Sequence, residues 1–167
     1  VLGLLVGTAI IGFLDDSSKL LRRRSLGISG KVKLALQLVV LLIVGFMAYR
    51  FGGVGTSVNI PLLKVSVNLG WFYIVLAYLI VAGSANTVNL TDGLDGLAAG
   101  TVAIALLAYV GITWLNGYKD LAILAASLMG GCIGFLWYNS FPAAVFMGDT
   151  GALALGAALG GLAIMTR

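Results

Sequence analysis

The stretch NTVNLTDGLDG (86–96) places Asn86, Asn89, Asp92 and Asp95 at intervals of three between two long apolar runs. On a helix each successive pair would be neighbours, although the row drifts around the axis. Gly93 and Gly96 predict a break in the helix here, with backbone N–H groups turned toward a ligand. Irregular polar backbone at membrane depth is tolerated only when buried in protein or lining a wet cavity. A glycine-rich interfacial turn with cap residues would use the same letters. Asn89-Leu90-Thr91 also matches a glycosylation acceptor, a chance match on a cytoplasmic turn.

Two further stretches carry carboxylates. GFLDD (12–16) is followed by Lys19. Adjacent carboxylates directly after an apolar run repel one another and shift in pKa, so that one could serve as a base and the other hold a metal. Solvated punctuation at a helix end is the simpler alternative. In YNSFPAAVFMGDTGALALG (138–156), Pro142 stops a helix or sets a turn, and Gly148-Asp149-Thr150-Gly151 opens an apolar run. Asp149 or Thr150 could cap that helix. Asp149 beside a helix N-terminus is also a plausible Mg²⁺ ligand, because Mg²⁺ takes oxygen donors and is commonly shared with substrate phosphates.

The rest of the composition narrows the chemistry. Histidine is absent, all six acids are aspartate, and the single Cys132 lies inside an apolar run. Imidazole catalysis, a Cys-based metal site and a disulfide framework are therefore excluded within this segment. Oxygen-coordinated Mg²⁺ with a phosphate-bearing substrate fits the remaining residues best, because phosphoryl transfer needs charge neutralisation and in-line positioning.

The elements that must position these residues are apolar. The chain is 60% hydrophobic over 167 residues, with 24 glycines. Soluble domains are about 45–50% apolar, and a bilayer span needs about 20 apolar residues. An all-α, polytopic transmembrane bundle is predicted, as a single integral-membrane domain over 1–167. Its six apolar spans run near 1–14, 33–49, 70–85, 97–115, 121–137 and 151–166. The runs do not alternate as barrel strands would. Small residues in ALALGAALGGLA (152–163) suit close helix packing in lipid. Alternation in SVNIPLL and KVSVNL predicts a small extracytoplasmic hairpin near 56–69. With no initiator Met, the segment reads as part of something longer.

The net charge of +4 is a topology signal and not a nucleic-acid footprint. The loop 15–33 carries Lys19, Arg22, Arg23, Arg24, Lys31 and Lys33, which places it on the cytoplasmic side. Alternating spans then bring 86–96 and 138–150 to the same side. Asp15, Asp16, Asp92, Asp95 and Asp149 share one face, and Asp120 falls on the other.

At these residues the chain resembles the phospho-MurNAc-pentapeptide transferase family. NTVNLTDGLDGLA (86–98) and YNSFPAAVFMGDTGALALG (138–156) are similar to its signatures, and GFLDD with GISGKVK (27–33) and Gln37 is similar to its first motif. The resemblance covers nearly the whole chain. DGLDG and FMGDTG are specific, whereas the Asp pair alone is not. It implies attack of undecaprenyl phosphate on the sugar-linked phosphate of UDP-MurNAc-pentapeptide, with release of UMP, in the bacterial plasma membrane at the cytoplasmic face. It implies Mg²⁺ as cofactor, with Asp149 its principal ligand and Asp92 close to the metal or the pyrophosphate.

By the same resemblance, Asp15 is the candidate base toward the lipid phosphate, and Asp16 is its acidic partner. A phosphate monoester's second pKa is near 6, so metal positioning outweighs a base. Lys31 faces the phosphates, and Asn89 and Asn139 orient polar groups around the site. Asp95, with the Gly93 and Leu94 backbone, reads uracil, and Phe146 stacks on the base. The apolar faces accept the prenyl chain, and a homodimer is compatible with the sequence. Ala152 stands where the family has Ser, and Thr87 where Ala is common. An early Lys and a late His-rich motif of the family lie outside these residues, so the segment is expected to be the enzyme's middle and inactive alone.

The rival within the superfamily loads GlcNAc-1-phosphate or a related sugar phosphate onto a polyprenyl phosphate. PAAVFMGDTG (142–151) favours the MurNAc enzyme. A transporter is the alternative from another class, because acids at broken membrane helices mark substrate pathways. Such a site should lie near the midplane, whereas these acids gather at one interface. A non-catalytic scaffold predicts that neutralising the aspartates changes nothing.

Overall fold

The structure is a computed structural model, and it describes residues 1–22, 27–52, 55–60 and 65–166. Among the described residues, six helices follow in chain order: α1 (Leu2–Arg22), α2 (Gly30–Gly52), α3 (Phe72–Thr91), α4 (Leu97–Leu115), α5 (Lys119–Asn139) and α6 (Gly148–Met165). Between α2 and α3 lies an antiparallel hairpin of β1 (Ser57–Ile60) and β2 (Val65–Asn68). Its register pairs Ser57 with Asn68 and Ile60 with Val65. The fold is thus the helical membrane bundle expected, with the small hairpin where alternation placed it.

Among the described residues, α2 to α6 are long and apolar enough to cross a membrane. Such a chain is a multi-pass membrane protein, because intrahelical bonding satisfies the backbone where water is absent. Outward-facing side chains such as Val6, Phe46, Leu79, Ile104 and Trp137 are exposed and apolar, as a lipid solvent requires.

α6 is the hub, packed between α1 and α3. Glycines let these backbones approach. A Cβ at Gly156 would lie 2.5 Å from the Ser84 carbonyl oxygen of α3, and one at Gly160 would lie 2.9 Å from Val81 Cα. A Cβ at Gly12 of α1 would overlap the Asp149 carbonyl and Thr150 Cα. Buried Leu4, Ile11, Leu41, Val81, Ala85 and Leu153 fill the space among α1, α2, α3 and α6. α4 and α5 pair with each other and join the rest through a second core around Val102, Leu106, Ala125 and Leu162.

Helix ends differ from the apolar boundaries. α1 does not stop at Leu14 but runs through both aspartates to Arg22. Lys19 pairs with Asp15 at i,i+4 (2.6 Å) and with Asp16 at i,i+3 (3.6 Å), in the acid-first order that supports a helix. Likewise 86–91 is the last part of α3, and the break is confined to 92–96. Gly96 takes a positive φ of 72° there, which a side chain would resist. Arg23 and Arg24 of the basic loop lie outside the described residues.

Candidate functional site

The site forms where the C-terminal ends of α1, α3 and α5 meet the N-terminal ends of α2, α4 and α6. The first N–H groups of a helix lack intrahelical partners and carry its positive dipole end. In α6 two carboxylates from other helices receive them. The Gly148 N–H is hydrogen-bonded to Asp92 at the end of α3. Asp16 of α1 accepts from the Asp149 N–H (3.3 Å), the Thr150 N–H (2.9 Å) and the Thr150 hydroxyl (2.7 Å). Met147, the α6 N-cap residue, supplies no side-chain cap of its own. The cap thus comes from 133 residues away and fixes Asp149 against α1.

Asp15, Asp16 and Asp149 bring three carboxylate oxygens within 4.8 Å of one another. Asp15 is fully buried. Its Oδ1 accepts the Ile28 N–H, and its Oδ2 meets Lys19 at 2.6 Å and Lys33 at 3.0 Å. A Cβ at Gly27 would overlap this carboxylate, so the loop before α2 must carry glycine there. Asp149 Oδ2 meets Lys19 at 3.2 Å and is hydrogen-bonded by Lys33. Burial raises the Asp15 pKa, but interactions with Asp149, Lys19, Lys33 and the Ile28 N–H outweigh it and hold the carboxyl well below the usual carboxylate range. Burial lowers Lys19, yet Asp15 and Asp149 prevail and hold it above the usual lysine value. Asp92 is pushed up by burial and by the like charges of Asp149 and Asp16, against the Gly148 N–H.

The donor set suits a hard divalent cation: three aspartate oxygens converge, with neither imidazole nor thiolate among them. Asp149 belongs to this trio. Asp92 stands outside it, linked through Gly148 and by its charge interaction with Asp149 and Asp16.

The loops after α3 and α5 are tied together beside the cluster. Asn139 is buried; its Oδ1 accepts the Gly96 N–H (3.1 Å) and its Nδ2 donates to the Val145 carbonyl (2.9 Å). Asp95 Oδ2 accepts the Ala143 N–H (3.0 Å). Asn139 and Asp95 therefore clamp one loop to the other. Gly93, Leu94 and Phe146 are exposed on these loops, Phe146 by 72%. Asn89 is half-buried in the last turn of α3. Asn86 donates to Gln37 of α2 at 2.9 Å, which joins two residues of the quoted motifs. Lys31 is exposed, and it is Lys33, two residues on, that enters the cluster. In the sequence Lys33 is only one of six basic charges in the loop 15–33, and the i,i+2 spacing puts the two lysines on different faces of α2.

A buried carboxylate–lysine cluster at one end of a membrane-spanning bundle defines an integral-membrane protein with a polar site of enzyme type. The chain belongs to glycosyl transferase family 4, whose model matches residues 1–167. It is 47% identical over 162 residues to the phospho-N-acetylmuramoyl-pentapeptide-transferase of Halalkalibacterium halodurans, covering 97% of this chain and 50% of that protein. The proteins of the same description from Bacillus licheniformis (46%, over 97% of this chain and 50% of theirs) and Desulfotalea psychrophila (45%, 95% and 48%) match similarly. The chain spans about half the length of the curated relatives it matches.

Proposed function

We propose that the protein containing this chain transfers phospho-MurNAc-pentapeptide from UDP-MurNAc-pentapeptide to undecaprenyl phosphate, giving lipid I in peptidoglycan synthesis. A phosphate oxygen of the lipid attacks the sugar-linked phosphorus. The bond from that phosphorus to the bridging oxygen breaks, and UMP leaves with the electron pair. The site faces the cytoplasm of a bacterial plasma membrane, on the strength of the basic loop beside it.

One observation carries this reading: three aspartate oxygens and two ammonium groups converge at the end of an apolar bundle. That position lets a membrane-bound phosphate meet a water-borne nucleotide. Mg²⁺ on Asp149, with Asp15 and Asp16, would neutralise the pyrophosphate charge. Asp92 and Asp16 hold the α6 N-terminus, whose positive dipole end favours anions. Lys19 and Lys33 stand ready as phosphate counter-charges, with Lys31 at the mouth. Asp15, held anionic between two lysines, serves by charge more than as a proton acceptor, and the lipid phosphate is largely dianionic near neutral pH. The clamped loops carrying Gly93, Leu94, Asp95 and Phe146 form the uridine end, with Asn89 and Asn139 supporting it.

The test is UMP release by the full-length protein in detergent, with undecaprenyl phosphate and Mg²⁺. Release from UDP-MurNAc-pentapeptide and not from UDP-GlcNAc is expected, with a loss of at least about 10²-fold in Asp149→Asn. Release from UDP-GlcNAc alone would move the protein to the sister activity, and release unaffected by Asp149→Asn would remove the metal role.

A further inference from the structure

Lys33 stands in the first turns of α2, yet its ammonium reaches carboxylates of two other helices: Asp15 of α1 at 3.0 Å and Asp149 of α6. Lys19 bridges the same two residues from α1. Both lysines contact the same atoms, Asp15 Oδ2 and Asp149 Oδ2. These residues, with Asp16, are the trio able to hold a divalent cation. The side chains of Lys33 and Asp149 are each 14% exposed and that of Asp15 is fully buried, so water screens these charges only in part. An ammonium and a metal ion cannot share one carboxylate oxygen at close range without mutual repulsion.

The two lysines are not equivalent. Lys19 is tied to Asp15 within one helix at i,i+4. Lys33 comes from a separate helix on a flexible four-carbon stem, so its ammonium can leave without disturbing α1. We propose that Lys33 is the resident counter-cation of the acidic cluster. It is a positioning residue that holds Asp15 against Asp149 in the metal-free protein. It withdraws when a divalent cation binds, and its ammonium then stands beside the cluster to meet a phosphate oxygen. The inference rests on the metal-dependent reading of this site.

Removing the competing charge should tighten metal binding. The test titrates Mn²⁺ into the metal-stripped full-length protein in detergent without substrates, reading free Mn²⁺ by electron paramagnetic resonance. Lys33→Met and Lys33→Gln are expected to bind Mn²⁺ roughly tenfold more tightly than wild type. Lys33→Arg, which keeps the charge, should stay within about twofold. In EDTA the neutral variants should unfold at a lower temperature, and Mn²⁺ should raise their midpoint by more than it raises that of wild type. A lysine serving only as structural support gives unchanged or weaker Mn²⁺ affinity in both neutral variants, and that result overturns the inference while the metal site stands. Absence of Mn²⁺ binding by the wild type would remove the metal site itself and the inference with it.

Discussion

The two ends of the α1–α6 pair are built differently. At the site end the backbones touch: Gly12 leaves no room for a Cβ against the Asp149 carbonyl, and Asp16 grips the first N–H groups of α6. At the other end the helices open onto an apolar cavity of about 670 Å³ bordered by Leu4, Leu41, Val44, Trp71, Ile74 and Ile164. Contact there runs through flexible side chains, such as Leu4 and Val1 against Gly161. Interlocked backbone and charge fix the α1–α6 register at the site end, and soft apolar packing joins these two helices at the other. Misplacement by about 1 Å can cost a site about 10²-fold in rate, whereas an apolar contact repacks for about 1 kcal/mol.

Substitutions at the two ends should sharpen or break this contrast. The largest effect is expected for Gly12→Val. It must push α1 from α6, destabilise by about 1–3 kcal/mol and lower UMP release by at least about 10²-fold. Thermal unfolding and a rate assay on the full-length protein check both parts. Asn139→Ala comes next. It leaves the Gly96 N–H and the Val145 carbonyl without their partner, at a cost of about 1–3 kcal/mol. Because it loosens the loops and leaves the acidic trio intact, KM for the nucleotide sugar should rise more than kcat falls. Thr150→Val removes one of three hydrogen bonds to Asp16, costing about 1.5 kcal/mol, with about a tenfold loss of kcat as Asp149 loses its register. The smallest effect belongs to Gly161→Ala at the open end. Its new methyl would meet Leu4 Cδ1 at 3.2 Å and Val1 Cγ1 and Cα at 3.4 and 3.5 Å, so stability should change by less than about 1 kcal/mol. Equal damage from Gly161→Ala and Gly12→Val would erase the contrast.

Much of this was legible in the sequence, for definite reasons. Apolar runs of span length admit few structures in lipid, and parity of the spans brought five aspartates to one end. The structure gathers Asp15, Asp16 and Asp149 there and links Asp92 to them. The hairpin was visible because its strands alternate. Hydropathy marks where polarity begins and not where helical hydrogen bonding ends, so the continuation of α1 through Asp16 and of α3 through Thr91 was hidden. The choice of Lys33 over Lys31 was hidden too. α2 is apolar all round, so its pattern names no inward face. The capping of α6 by Asp16 joins positions far apart in the chain and becomes visible only once α1 and α6 cross.

The central claim is that Asp149, held by the α6 cap beside Asp15 and Asp16, is the anchor of a divalent cation. Mn²⁺ binding to the metal-stripped full-length protein, wild type against Asp149→Asn, tests it most directly. The metal-centred reading predicts one bound ion per chain in the wild type and affinity weakened by about 100-fold or more in the variant. Equal affinity and stoichiometry in the two proteins, with Asp149→Asn folded, would contradict it.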